Sequence, residues 1–231
     1  MDSHPAPAPG PASDDGLSLR ERKKRQTRQR ISDVATRLFA ARGFDKVTVA
    51  EVAEAAGVSA MTVFNHFARK EDLYLDRIPE ALALFSTAVR ERRPGETAAA
   101  PVRRLFLELA EARHPLGGLG DTFPAFWRVI LESPALRARV REGIEELEGA
   151  LAQAVAETTG ARPGDPVPRL TAALTVTAYR TICATTMSRL LAGERADDAA
   201  PGHRALIGTT FDALEAALRV LGGPDRVPGT P

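Results

Sequence analysis

Asn65 is the only asparagine in this chain of 231 residues, and an asparagine amide can pair with both N6 and N7 of adenine. Its neighbours suit the same kind of surface. Met61 offers apolar contact to base edges, Ala60 is short enough to pack on one, and Thr62 can touch a thymine methyl or, through its hydroxyl, a phosphate. Phe64 and His66 complete the set expected to face outward or edge-on. Plainer roles stand beside these: an exposed Asn or Met that meets no base, and a threonine hydroxyl turned back onto its own helix.

Two short helices must position these residues. Thr48 can cap the first, and Glu51, three residues on, can reach back to the Thr48 backbone N–H to complete a capping box. Val52, Ala53 and Ala56 then share one inward face. Gly57 admits the left-handed backbone of a tight turn. Ser59 caps the second helix, and Val63 and Phe67, four apart, point inward from it. The spacing predicts a helix-turn-helix, a shape whose second helix fits the major groove of duplex DNA. Upstream, Ile31, Val34, Ala35, Leu38 and Phe39 recur at helical spacing and predict a helix from about Thr27 to Arg42, ended by Gly43. Phe44 and Val47 would pack under the pair, giving three helices around one small core.

Composition narrows the function. The chain is 44% hydrophobic and 26% charged, as soluble globular proteins are. Its net charge of +1 conceals an asymmetry: residues 17–70 carry 12 Lys/Arg against 5 Asp/Glu, and residues 71–231 carry 19 against 22. All four lysines, Lys23, Lys24, Lys46 and Lys70, lie in the first part. A basic front on a near-neutral body suits a phosphate backbone. Residues 20–30 hold seven of those cations against Glu21 alone. They read either as an extension of the first helix with a solvated face or as a flexible arm that tracks phosphates or enters the minor groove, with Lys23, Lys24, Arg25 and Arg28 as its candidate contacts.

The single cysteine, Cys183, excludes an intramolecular disulfide and fits a reducing cytoplasm. The first 19 residues lack an apolar signal core, and no apolar run approaches membrane-spanning length, so neither secretion nor membrane association is expected. There is no P-loop, no dinucleotide glycine fingerprint and no His-Glu-x-x-His helix. The cluster of Gly117, Gly118 and Gly120 lacks the strand that a phosphate loop needs, and Cys183 falls mid-helix among Thr and Ala, a setting for a buried thiol. An enzyme is therefore not expected, nor is a cofactor, a metal or a catalytic residue.

The run Gly57-Val58-Ser59, followed by Thr62-Val63-Phe64-Asn65-His66-Phe67 and Lys70-Glu71-Asp72-Leu73, resembles the TetR family of bacterial transcription regulators. The likeness spans roughly residues 27–75, about a fifth of the chain; the remainder agrees only in helical layout. It implies an all-α protein: an N-terminal three-helix DNA-binding domain (residues 20–69) joined to an α-helical effector-binding and dimerisation domain (70–221). A disordered arm (1–19), rich in Pro, Ala and Gly over its first 16 residues, and a flexible tail (222–231) would flank them. By the same resemblance His66 and Lys70 would touch the DNA backbone. Helix starts at Lys70 and Thr48 would add hydroxyl and N–H donors for phosphates. Two departures stand out. Phe64 replaces the usual Tyr, removing a phosphate-binding hydroxyl, and Arg69 replaces a small capping residue with a cation.

A long helix is expected from Lys70, kinked or broken by Pro79, and further helices at about 98–113, 121–132, 134–159, 166–192 and 203–221. The candidate effector pocket draws on Phe85, Phe106, His114, Phe123, Trp127, Tyr179, Arg180 and Cys183, for most of which core packing is the competing role. The resemblance implies that a small effector moves the long helix containing Pro79. It also makes the last two helices a homodimer surface. Ala172, Ala173, Thr177, Ala178, Thr181 and Thr185 would let partner helices approach closely. Leu206, Ile207, Phe211, Leu214 and Leu218 would supply apolar area, unless these faces serve the internal core. The leading reading is a repressor that binds a palindromic operator as a homodimer and is released by a small, largely apolar effector. The alternative is an effector-independent activator or architectural DNA-binding protein.

Overall fold

The computed structural model describes residues 18–221; the expected arm up to residue 17 and the tail from Gly222 lie outside them. Among the described residues every regular element is helical. They run α1 (Leu19–Arg42), α2 (Val49–Ala55), α3 (Ala60–His66), α4 (Ile78–Arg90), α5 (Ala99–Glu111), α6 (Phe123–Glu132), α7 (Pro134–Thr159), α8 (Val167–Leu191) and α9 (Ala196–Leu221). None of them is long and apolar enough to cross a membrane. The chain divides into two compact units. One holds the chain through Asp76 together with Ala125–Arg139; the other holds Arg77–Pro124 and the chain from Val140.

In the first unit α1 begins eight residues before the expected Thr27. Ser18 and Glu21 form a capping box: the Glu21 amide donates to Ser18 Oγ, and the Glu21 carboxylate accepts from the Ser18 N–H at 2.9 Å. The Arg, Lys and Gln residues that follow are good helix formers. The basic stretch 20–30 is thus helix rather than flexible arm, and Leu19 leaves the expected disordered segment. Ile31, Val34, Ala35 and Phe39 of α1 are buried, as are Phe44, Val47, Val52, Ala53, Val63 and Phe67, and the Phe39 and Phe44 rings meet at 4.9 Å between centres.

This unit does not stop at residue 69. A 3-10 turn over Glu71–Leu73 buries Leu73 and Tyr74. Tyr74 stacks on Phe126 at 4.7 Å between ring centres and donates its hydroxyl to the Phe126 carbonyl at 3.0 Å. Ser133 Oγ donates to Asp45 Oδ1 at 2.9 Å, and Arg139 Nε reaches Asp72 Oδ1 at 2.8 Å, both ends largely shielded from water. These contacts draw the end of α6 and the start of α7 into the first unit. They displace the expected boundary.

Two helix starts also differ from expectation. No long helix begins at Lys70. Helix α4 starts at Ile78, with Pro79 in its first turn, where a missing N–H costs nothing and the fixed φ favours helix. Pro79 therefore starts a helix instead of kinking one. At the other end α9 begins at Ala196, seven residues early, because Ala196 and Ala199 bury beside Leu119 and Leu190. Pro201 is accommodated inside α9 at the loss of one backbone hydrogen bond.

The second unit is built on one core in which Phe85, Val102, Phe106, Leu151, Val176 and Ile182 meet Ile207, Phe211, Leu214 and Leu218 of α9. That apolar stripe of α9 fills its own unit and is not left for a partner. A short turn over Pro115–Gly117 docks onto this core. Its Gly117 lies so close to α5 that a Cβ would sit 2.5 Å from the Leu109 carbonyl oxygen and 2.7 Å from the Ala110 nitrogen. His203, only 1% exposed, holds the same turn: its Nε2 lies 2.9 Å from the Gly117 carbonyl and its Nδ1 2.7 Å from Thr186 Oγ1. A carbonyl only accepts, so Nε2 carries the proton and the Nδ1 of the neutral ring accepts from Thr186. Burial depresses the imidazole's proton affinity, and the nearby Arg113 and Arg189 add to the effect, against the opposing Gly117 hydrogen bond.

Replacing Gly117 by Ala should destabilise the protein by about 1–3 kcal/mol in chemical denaturation, because only backbone can move to admit the methyl. A depressed folded value for His203 means that the unfolded state binds the proton more readily. The His203 contribution should then be intact above the usual imidazole range and be lost as pH falls through it. Urea unfolding at about pH 7.5 and about pH 5.5 should show a larger drop in stability for the wild type than for His203→Gln.

Candidate nucleic-acid interface

Thr48 and Glu51 form the expected capping box on α2. The Thr48 N–H and hydroxyl both donate to Glu51 Oε2, at 2.7 and 2.8 Å, and the hydroxyl accepts from the Glu51 amide at 3.2 Å. Those hydrogen bonds, with Arg42 beside them, pull the Glu51 carboxyl down to about 2. The cap therefore occupies the donors that Thr48 would have offered a phosphate. Gly57 turns the chain at φ +65°, and the Val58 amide closes the turn on the Ala53 carbonyl at 3.0 Å. Ser59 then caps α3 by accepting from the Thr62 amide at 3.0 Å, and its hydroxyl shares a hydrogen with Thr62 Oγ1 at 2.8 Å. Thr62 is half-buried and its hydroxyl is held to the Ser59 cap. With Val63 and Phe67 buried, the outward face of α3 is Ala60, Met61, Phe64 and Asn65.

Helix α1 crosses the end of α3. The Arg28 guanidinium donates to the His66 carbonyl and lies 4.0 Å from the centre of the Phe67 ring. Arg28 is therefore a clamp on the C-terminus of α3 rather than a member of an arm. Lys24, Arg25, Arg28 and Glu21 of α1 share a surface cleft with Asn65 and His66. His66 is half-buried there; burial, Arg28 and Lys24 lower its proton affinity and favour a neutral ring. Lys23 and Lys24 stay exposed on the α1 extension. Lys70 is turned inward: its Nζ donates to the Phe44 carbonyl at 2.6 Å and lies 4.1 Å from the Phe44 ring centre, which commits one of its three N–H groups.

The candidate effector residues do not form one cluster. Phe85, Phe106 and Tyr179 meet in the second unit's core, with Tyr179 at 5.0 Å from Phe85 and 4.8 Å from Phe106 between ring centres. Cys183 packs with them, its thiol pushed up to about 12 by burial. The Tyr179 hydroxyl donates to the Leu116 carbonyl at 2.9 Å. His114 sits at the edge of the turn that follows α5, with Nδ1 accepting from the Leu116 amide and Nε2 at 3.2 Å from Glu80. Phe123 joins the separate cluster of Leu119, Leu190, Ala196 and Ala199. Trp127 belongs to the first unit, beside Phe126 at 6.2 Å. Arg180 is exposed on α8, on the side away from the core that Tyr179 and Ile182 enter.

The sequence reading missed His203 and the Ser18–Glu21 box. The box was legible, since Ser-x-x-Glu before a helical run is a start signal. His203 carried no such mark, because its partners Gly117 and Thr186 come from other elements.

The profile of the family described as bacterial regulatory proteins, tetR family, matches residues 31–76, and that of the MftR C-terminal domain matches residues 126–219. The HTH-type transcriptional regulator TcmR of Streptomyces glaucescens is 34% identical over 164 residues, 69% of this chain and 73% of that protein. The HTH-type transcriptional repressor AcnR of Corynebacterium glutamicum is 38% identical over 69 residues, 30% of this chain and 37% of its own length. Among solved structures, NalD, the secondary repressor of the MexAB-OprM multidrug efflux pump in Pseudomonas aeruginosa, superposes with a TM-score of 0.52 at 18% identity, covering 82% of this chain and 96% of NalD; this likeness concerns the fold. The helix-turn-helix of α2 and α3, the helical second unit and these relatives together establish that the chain belongs to the TetR family of transcriptional regulators.

Proposed function

We propose that the protein is a cytoplasmic, homodimeric repressor that places two copies of α3 in successive major grooves of a palindromic operator and leaves it when a small, largely apolar effector binds. One observation carries the reading: α3 presents Met61, Phe64 and Asn65 outward beside a cleft lined by Lys24 and Arg25, so groups for base edges and cations for phosphates lie on one surface. The sign of regulation is taken from the repressor AcnR, whose matched segment is of about the size of the reading module.

Dimerisation suits a module with so few base-facing side chains, since two half-sites multiply its selectivity. With Ile207, Phe211, Leu214 and Leu218 internal, the surface available to a partner is a stripe of small residues. Thr177, Thr181, Ala184 and Thr185 of α8 and Thr209, Ala213, Ala216 and Ala217 of α9 recur at helical spacing and are exposed. The effector is assigned to the aromatic core of Phe85, Phe106 and Tyr179, where the Tyr179 hydroxyl and Leu116 carbonyl are the polar groups at hand.

Selection of bound sequences from random duplexes tests the reading. A palindrome with half-site centres about 34–36 Å apart is expected; dispersed coverage of DNA would indicate the architectural alternative. Small apolar molecules should then release that duplex. Two variants sharpen the test. Lys24→Ala should weaken binding to all sequences alike and, with one lysine lost from each protomer, reduce the slope of log affinity against log salt by about 2. The wild type should sediment at about twice the 24.7 kDa of one chain, and Ala217→Glu should shift it to the mass of one chain, because a charge would enter a close helix contact.

A further inference from the structure

We infer that α3 reads its half-site through thymine methyl groups next to a single adenine, so that the core it selects is made of A·T pairs and is not centred on guanine. The inference rests on the duplex-binding reading above and specifies the bases.

Helix α3 is seven residues long and contains no Arg or Lys. The commonest specific contact in the major groove, Arg or Lys on guanine O6 and N7, is therefore unavailable from this helix. At about 100° per residue, Ala60, Phe64, Met61 and Asn65 occupy one continuous arc of about 140°. These are the residues of α3 that the structure leaves exposed. The remaining three are committed elsewhere: Val63 is buried, Thr62 is bonded to its Ser59 cap, and His66 is set back in the cleft with Lys24 and Arg28.

Three of the four outward side chains are apolar. Met61 is 68% exposed and Phe64 52%, two large apolar groups three residues apart on a surface that a protein would otherwise keep polar. In the major groove the one apolar mark on a base pair is the thymine 5-methyl. Met61 supplies a flexible, polarisable thioether for it, and Phe64 a ring edge. Asn65, at the rim of the arc nearest the basic cleft, is the one outward group with hydrogen-bonding capacity, and its amide matches adenine N6 and N7. The cations flanking this patch, Lys24 and Arg25, complement a duplex and not an apolar protein partner.

Deoxyuridine differs from thymidine only in that methyl, which makes the test direct. The full-length protein is used to select from a random duplex library, and the selected duplex is resynthesised with deoxyuridine at one thymine at a time. At one or two positions per half-site affinity should fall about four-fold, the worth of one buried methyl-sized group. The loss should vanish at one of them in Met61→Ala and at another in Phe64→Ala; both side chains are exposed, so the variants keep the fold. Asn65→Ala should relax selection at one adenine by about 5- to 150-fold. Selective binding with no response to deoxyuridine, or a selected core of G·C pairs, would overturn the inference and leave the DNA-binding reading standing. A Met61→Ala or Phe64→Ala variant with unchanged DNA affinity but altered assembly mass would also overturn it, marking the patch as a protein contact. Absence of any sequence preference would remove both readings.

Discussion

A seven-residue helix does not persist in water, because the cost of nucleating it exceeds what two turns return. Both helices of the reading module have that length. Their existence depends on what satisfies their ends. Thr48 and Glu51 close one start, Ser59 closes the other, and Arg28 takes the last carbonyl of α3 while covering Phe67. The side chains that a purely local view would assign to DNA are in several cases the ones holding the helices in place. Thr48, Thr62, Arg28 and Lys70 each satisfy a backbone or cap partner first. The exposed face of α3 is narrower and less polar than the sequence suggested.

Local rules made much of the fold legible. The start of α7 at Pro134 after a Ser133 cap, the turn at Gly57 and the limits of α5, α6 and α8 to within two residues follow from caps, glycines and apolar spacing. Where the reading went astray, tertiary contacts decided. Pro79 was expected to kink or break a helix and the last helix to start near 203, yet Pro79 sits in a first turn, and the earlier start of α9, with Pro201 inside it, is carried by the burial of Ala196 and Ala199. The apolar stripe of α9 has the same appearance whether its partner is a second copy or its own core. Spacing along one helix cannot distinguish the two.

The site was partly legible for the same reason. Asn65, Met61 and Phe64 were placed outward by helical periodicity alone, and they are outward. The effector residues were gathered by type, without knowledge of which elements meet. Phe85, Phe106, Tyr179 and Cys183 converge, whereas Phe123, Trp127 and Arg180 go to a second cluster, to the other unit and to the surface. Nor could a single histidine be ranked without its partners. His203, overlooked, is buried and held at both nitrogens by partners from other elements.

The reading module is discontinuous along the chain. Tyr74, Asp72 and Asp45 find their partners at Phe126, Arg139 and Ser133. During synthesis α1 to α3 emerge from the ribosome well before those partners, which arrive some sixty residues later. In that interval the nascent head lacks part of its buried frame and of its ion pairing. Any transplant of this head onto another regulator would have to carry the Ala125–Arg139 segment with it, because a graft ending at Asp76 would leave a tyrosine ring and two carboxylates facing solvent.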